Sequence, residues 1–289
     1  MDHPPRLVLD EARPGKRFAL ESEDIQHLVK VLRLPAGAVL EVLDGHGRSY
    51  SATLELERRG AAVTLGGVLR ESPSPGAPGS HLARVEVWAP FPKGHRAADA
   101  VGRLAQLGVA AWQGVITAHT EAEARHDGEG RRGKLAKVAR EALKQCGGLH
   151  ALEVRPAIDL AEALRDGPAP SATGAQPEMQ LGIKGQSSGA NDTQSAIWPI
   201  LNIVLAPDAP QWLSTLLQEL PRSRRDNGPE ACLRLWAGPE AGFSAAETVA
   251  LRARGFAFAR ISPQVLRIET ALEAAAAIVL EHGAAHASR

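Results

Sequence analysis

Short apolar stretches give way to longer helical stripes about a quarter of the way along the chain. In residues 1–71 the apolar positions fall in Arg6–Leu9, Val39–Leu43, Ser49–Glu57 and Ala62–Leu69, with turn signals at Asp44-Gly45 and Arg59-Gly60. Such segments predict β-strands. After Ser22, a residue suited to N-capping, Ile25, Leu28, Val29 and Leu32 recur at helical spacing. Glu23 and Asp24 there favour the positive end of a helix dipole. This part of the chain predicts a small barrel carrying one helix.

From residue 83 onward strands and helices alternate, which predicts a largely parallel sheet with helices on both faces. Val85–Pro90 reads as a strand, Arg96–Leu107 as a helix stopped by Gly108, and Val109–Thr117 as the next strand. Lys134–Gln145 carries the clearest amphipathic stripe, with Leu135, Val138, Ala139, Ala142 and Leu143 on one face. Leu201–Ala206, Leu233–Ala237 and Phe256–Ile261 hold too few polar residues for surface strands. They run into loops at Pro207-Asp208, Gly238–Gly242 and Ser262–Gln264. Ligands of parallel sheets sit beyond the carboxyl ends of strands, so the three loops predict one convergent site.

Two stretches break the pattern. Ser72–Ser80 (SPSPGAPGS) predicts a linker, placed at 72–82 between a domain of residues 1–71 and one of residues 83–286. Residues 166–199 mix Pro, Gly, Ser, Thr and Asn with little hydrophobicity and predict a low-complexity insertion.

Composition narrows the function classes. With 289 residues, 44% of them hydrophobic, the chain can bury two modest cores or one large one. Lys plus Arg and Asp plus Glu both number 33, so any nucleic-acid contact must rest on a local patch. Cys146 and Cys232 stand far apart without neighbouring ligands, which argues against structural zinc or a disulfide scaffold and fits a reducing cytoplasm. The start of the chain does not read as a secretory signal, and the longest apolar run, Ala274–Leu280, is too short to cross a bilayer. A soluble cytoplasmic protein is expected.

Three features carry candidate chemistry. In the segment from Ala237 to Glu247, Ser244 and Glu247 form a capping box, so a Gly-Pro-Glu-Ala-Gly loop lies between a buried strand and a helix N-terminus. Backbone N–H groups there suit an anion or polar ligand; a tight βα turn that binds nothing fits the segment equally well. Second, Arg267 and Glu269 are charges in a stretch otherwise built for burial, either used in a site or simply paired at a helix start. Third, Arg131, Arg132, Lys134, Lys137, Arg140 and Lys144 form a basic stripe able to sit on phosphates or to be a solvated face. His27, His95 and His119 are isolated and by themselves read as structural or exposed.

Several of these residues fall into a familiar series. His27-Leu28-Val29-Lys30-Val31-Leu32-Arg33-Leu34 with Asp44-Gly45 comes first, followed by Pro92-Lys93-Gly94 and Leu107-Gly108-Val109. Glu141-Ala142-Leu143-Lys144-Gln145-Cys146-Gly147, Gly238-Pro239-Glu240-Ala241-Gly242-Phe243-Ser244 and Leu266-Arg267-Ile268-Glu269-Thr270-Ala271 complete it. In this order the chain resembles the bacterial 16S ribosomal RNA uridine-N3 methyltransferase family, of the SPOUT class, over nearly its whole length except the insertion.

That resemblance implies an α/β fold in which an N-terminal PUA-like β-barrel for RNA precedes a C-terminal SPOUT domain tied in a deep trefoil knot. It implies a homodimer, S-adenosylmethionine as cofactor, no metal, and 16S ribosomal RNA or the small ribosomal subunit as partner. Cofactor contacts would come from Ala206, Pro207, Ala237, Gly238, Pro239, Glu240, Gly242, Ile261, Ser262, Val265, Leu266, Ile268 and Thr270. Arg267 and Glu269 take the catalytic roles. N3 of uracil is a poor nucleophile while protonated, and a fixed cation such as Arg267 would stabilise charge developing on the ring. Glu269 would position Arg267 or accept the proton. RNA contacts would fall to His27, Lys30, Arg33, Lys93, Arg131, Arg132, Lys137 and Arg140.

The chain also departs from the family. Ala241 and Ser262 stand where the family has Gly, and Ile268 where it has Thr. An added Cβ narrows a cofactor loop or excludes left-handed backbone angles. Gln26, Gln106, Ala122 and Gly148 replace the family's His, Glu, Arg and Arg. These departures raise an alternative: a catalytically weakened paralogue that acts as an rRNA-binding or ribosome-assembly factor.

Overall fold

The computed structural model describes residues 4–77, 80, 83–121, 129–165, 200–219 and 232–287. The 166–199 insertion lies outside them.

In the N-terminal part, strands β1 (Arg6–Val8), β2 (Arg17–Ala19), β3 (Val39–Leu43), β4 (Arg48–Glu57) and β5 (Gly60–Glu71) form one sheet in the order β1-β3-β4-β5-β2. Pairing is antiparallel except between β1 and β3. The sheet curls into a half-barrel over a core of Leu7, Leu28, Leu40, Val42, Leu54 and Val63. Helix α1 (Ser22–Ile25) runs directly into a wider π-helical turn, Gln26–Val31, in which Leu32 N–H donates to His27 O, five residues back, at 2.9 Å. Ser22 is the first helical residue and Glu21 the N-cap, so the hydroxyl cap expected from the sequence does not form. The wider turn also carries Leu32 past the apolar stripe: Leu28 is fully buried, whereas Leu32 is exposed.

The second sheet is built from β6 (Arg84–Ala89), β7 (Ala111–Ile116), β8 (Glu153–Asp159), β9 (Ile200–Leu205), β10 (Cys232–Trp236) and β11 (Ala257–Ala259). It is parallel throughout, in the order β11-β9-β10-β6-β7-β8. Helices α2 (His95–Leu107), α3 (Glu129–Cys146), α5 (Leu213–Glu219) and α7 (Ile268–Ala287) cover one face, with Val101, Leu104, Leu135, Leu216 and Leu272 in the core. Helices α4 (Leu160–Ala163) and α6 (Ala245–Ala253) cover the other through Leu160 and Leu251. The indole N–H groups of this double-sided core are partnered, Trp112 with Ala89 O at 3.1 Å and Trp236 with Asn202 Oδ1 at 2.9 Å.

The two sheets meet along α3. Val8, Leu43 and Leu143 make a small apolar contact, and Gly45 O and Gly47 N–H bond Ala151 N–H and Leu149 O. Arg6 reaches the carbonyls of Lys144 and Gln145, and Arg70 donates to Gly147 O at 3.0 Å. Gly147 has φ +70°, and a Cβ there would lie 2.6 Å from the Arg6 guanidinium. The end of α3 is thus shaped as a joint between sheets.

Candidate functional site

Parallel pairing puts the carboxyl ends of all six C-terminal strands on one side. The chain builds outward from β6 through β7 to β8, then returns to lay β10 on the other side of β6. At such a reversal an α/β sheet opens a crevice. A small cleft, partly open to solvent, lies between the loops after β6 and β10. Pro90, Phe91, Pro92 and Lys93 form one wall, Thr120 and Glu121 another, and Pro239, Glu240 and Ile268 the third.

The loop after β10 is a tight turn. Gly242 N–H donates to Pro239 O at 2.7 Å, and Gly242 has φ +71°. A Cβ on Gly238 would sit 2.8 Å from Gly242 C and Phe243 N, so the close return of the chain requires this glycine. Ala241 and Ser262 are outside the left-handed region. Their Cβ atoms therefore impose no backbone strain where the family has glycine, and Ser262 Oγ accepts from Gln264 N–H at 3.0 Å.

Helix α6 begins with the expected capping box, Ser244 and Glu247 bonding each other's backbone N–H. Glu247 also accepts from Ala118 N–H at 2.7 Å, and His119 Nδ1 lies 3.0 Å from Gly242 O. The loop after β7 thereby braces the loop after β10. The Glu247 carboxylate is thus seated at the helix start, beside the N–H groups that the sequence offered either to a polar ligand or to a tight turn.

The expected pairing of Arg267 with Glu269 does not form. Arg267 is exposed and, among the described residues, has no ion-pair partner. Glu269 is buried at the start of α7, and its carboxylate faces Arg96 instead, with Oε1 3.7 Å from Arg96 Nη1. Arg96 Nη1 is also 3.4 Å from Glu240 Oε1. Glu269 Oε2 is buried and, among the described residues, has no hydrogen-bond partner. Arg96 was not singled out from the sequence, where the one available signal was a cation in the first turn of α2, against the helix dipole; His119, read there as structural or exposed, has a bracing role.

Of the expected cofactor residues, Pro239, Glu240 and Ile268 line the cleft. Ala206 and Pro207 follow β9, Ala237, Gly238 and Gly242 follow β10, and Ile261, Ser262, Val265 and Leu266 lie between β11 and α7, on the same side of the sheet. Thr270 is exposed in the first turn of α7.

The expected RNA residues divide into separate groups. His27, Lys30 and Arg33 are exposed on or just after the wide turn, and Arg33 has φ +54°. Lys93 forms an ion pair with Glu121 at the cleft. Arg131 donates to Pro92 O at 2.7 Å and stacks over Phe91, bracing a cleft wall; Arg132 is half-buried. Lys137 pairs with Glu23, Arg140 with Asp10 at 2.6 Å and Lys144 with Asp24 at 3.1 Å. The basic stripe of α3 is therefore largely opposed by acids of the N-terminal sheet and its helix.

Comparison with known proteins adds a family and a fold. The RNA methyltransferase domain family matches residues 80–181 and 191–280, and the RNA methyltransferase PUA domain matches residues 20–65. Ribosomal RNA small subunit methyltransferase E from Neisseria gonorrhoeae, solved with S-adenosyl methionine, superposes with a TM-score of 0.67 at 21% identity, covering 96% of each chain. A Legionella pneumophila protein solved with the same cofactor gives 0.68 at 21% identity over 98% of each chain. A candidate rRNA-methyltransferase from Porphyromonas gingivalis gives 0.68 at 20% identity, over 99% of this chain and 100% of that one.

Proposed function

This chain belongs to the RNA methyltransferase family, and on that premise we propose that it transfers a methyl group from S-adenosylmethionine to N3 of a uridine in small-subunit ribosomal RNA. The observation that carries the proposal is the cleft at the sheet's reversal, with one glycine-dependent return of the chain at its wall and, next to Ile268, a buried Glu269 Oε2 that has no hydrogen-bond partner among the described residues.

The residues present suit the cofactor. Gly238 and Gly242 let the chain turn back tightly beside the cleft, Pro239 and Ile268 offer apolar surface, and Glu269 Oε2 would accept from a hydroxyl or ammonium donor. Ala206, Pro207 and the 261–266 loop would hold the rest. When bound, S-adenosylmethionine supplies an electrophilic methyl carbon. The chain's task is to bring uracil N3 into line with that carbon and to stabilise the charge that develops on the ring. Arg267, exposed, two residues from Glu269 and without an ion-pair partner among the described residues, is our candidate for the second role. His27, Lys30 and Arg33 on the half-barrel would engage flanking RNA.

The insertion of β10 between β9 and β6 supports a knotted C-terminal path. The ordinary backbone angles of Ala241 and Ser262 favour an active enzyme over a weakened RNA-binding paralogue.

Calorimetry with S-adenosylmethionine tests the first half of the proposal: saturable binding is expected, and no heat at saturating ligand contradicts it. Arg267→Ala should lower methyl transfer by about 100-fold while cofactor affinity stays within about threefold. Unchanged turnover in that variant removes Arg267 from the mechanism.

A further inference from the structure

We propose that Arg96 is a positioning residue that ties two facing walls of the cleft together and sets Glu269 for its ligand. The inference rests on the methyltransferase reading above. Arg96 lies in the first turn of α2, three residues beyond Lys93 on the β6 wall. Its Nη1 stands 3.4 Å from Glu240 in the loop after β10 and 3.7 Å from Glu269 at the start of α7. One guanidinium thus joins the segment after β6 to both segments on the opposite side.

Helix formation does not account for this arginine. The first turn of α2 contains no acidic residue, and a cation there opposes the helix dipole. The two carboxylates compensate for that position. They differ in environment: the Glu240 side chain is 61% exposed and that of Glu269 only 10%. A buried carboxylate needs a countercharge, and Arg96 provides it at Oε1 while leaving Oε2 without a partner among the described residues. Glu269 is thereby presented as an acceptor of fixed orientation. Arg96 acts through Glu240 and Glu269 and does not itself touch the reacting atoms.

The test uses the full chain and three proteins, wild type, Arg96→Ala and Arg96→Lys, in two measurements. Amide hydrogen exchange without ligand reports the tie itself. Exchange in the 239–243 loop and the first turn of α7 should quicken in Arg96→Ala and be partly restored in Arg96→Lys. Calorimetry with S-adenosylmethionine should then show Kd rising about tenfold in Arg96→Ala with partial recovery in Arg96→Lys, at a melting temperature close to wild type. Unchanged exchange in both segments, or an unchanged Kd, overturns the inference, as does a large fall in melting temperature with no change in Kd. Faster exchange in Arg96→Ala, together with a wild-type protein that binds no S-adenosylmethionine, would instead contradict the methyltransferase reading and leave the mechanical tie standing.

Discussion

Glu86 sits in the middle of the parallel sheet, 3% exposed, with Arg84, Arg155 and Arg234 around it and the Trp88 indole donating at 3.2 Å. Burial pushes its carboxyl up, but the arginines outweigh this and hold it below the ordinary carboxylate range. Removing one partner from such a group strands the others, so Glu86→Ala should cost roughly 3–5 kcal/mol in urea unfolding. A loss under about 1 kcal/mol would mean that the arginines find water instead. The cysteines give a second expectation at this scale. Cys146 is exposed, whereas Cys232 is buried and its thiol is pushed up to about 11, mainly by burial and then by Glu86. Native protein should take one alkyl group at pH 8, on Cys146, and labelling at both sites would contradict the buried placement.

Among the elements, those with a strong period were legible and those without one were not. The stripes of α2 and α3 and the capping box of α6 appear in the structure where the pattern put them. Strand β2 has three residues and no buried position, and β8 is half-exposed along its length, so neither gave an apolar signal. The π-helical turn escaped because its hydrogen bonds leave no period in the sequence. The site was legible as converging loops, since each buried strand ended in Gly, Pro or Ser. It was not legible as ion pairs: that Glu269 meets Arg96 and not Arg267 depends on how β6, β10 and α7 adjoin. For the loop itself, Gly238→Ala should abolish cofactor binding, because its Cβ would displace backbone atoms 2.8 Å away. Retained affinity would show that the turn can open.

At the scale of the molecule, charges set aside for RNA in the sequence serve the joint between the two sheets. Helix α3 looked like a phosphate-binding stripe because its acidic partners, Asp10, Glu23 and Asp24, are more than a hundred residues away in sequence. The joint contains Glu41 as well, where burial raises the carboxyl but the hydrogen bonds from Arg6 and Arg70 prevail and hold it low. His150, which pairs across the joint with His46, is lowered by burial in spite of nearby carbonyls of Pro73 and Ser72 and the charge of Asp44. Its folded value lies below its ordinary 6.5, so its contribution to stability is complete above that pH and is lost as pH falls through the folded value. Urea midpoints should therefore fall on acidification from pH 7.5 to 5, and less steeply in His150→Gln. Equal slopes would exclude His150 as a source of the acid sensitivity.

The central claim is that the cleft at the sheet's reversal carries out methyl transfer to ribosomal RNA. Its most direct test is incubation of small ribosomal subunits with the protein and isotopically labelled S-adenosylmethionine, followed by mass analysis of the digested nucleosides. Labelled 3-methyluridine, lost with Arg267→Ala, is the predicted result. Label confined to another nucleoside, or none in RNA, would contradict the account.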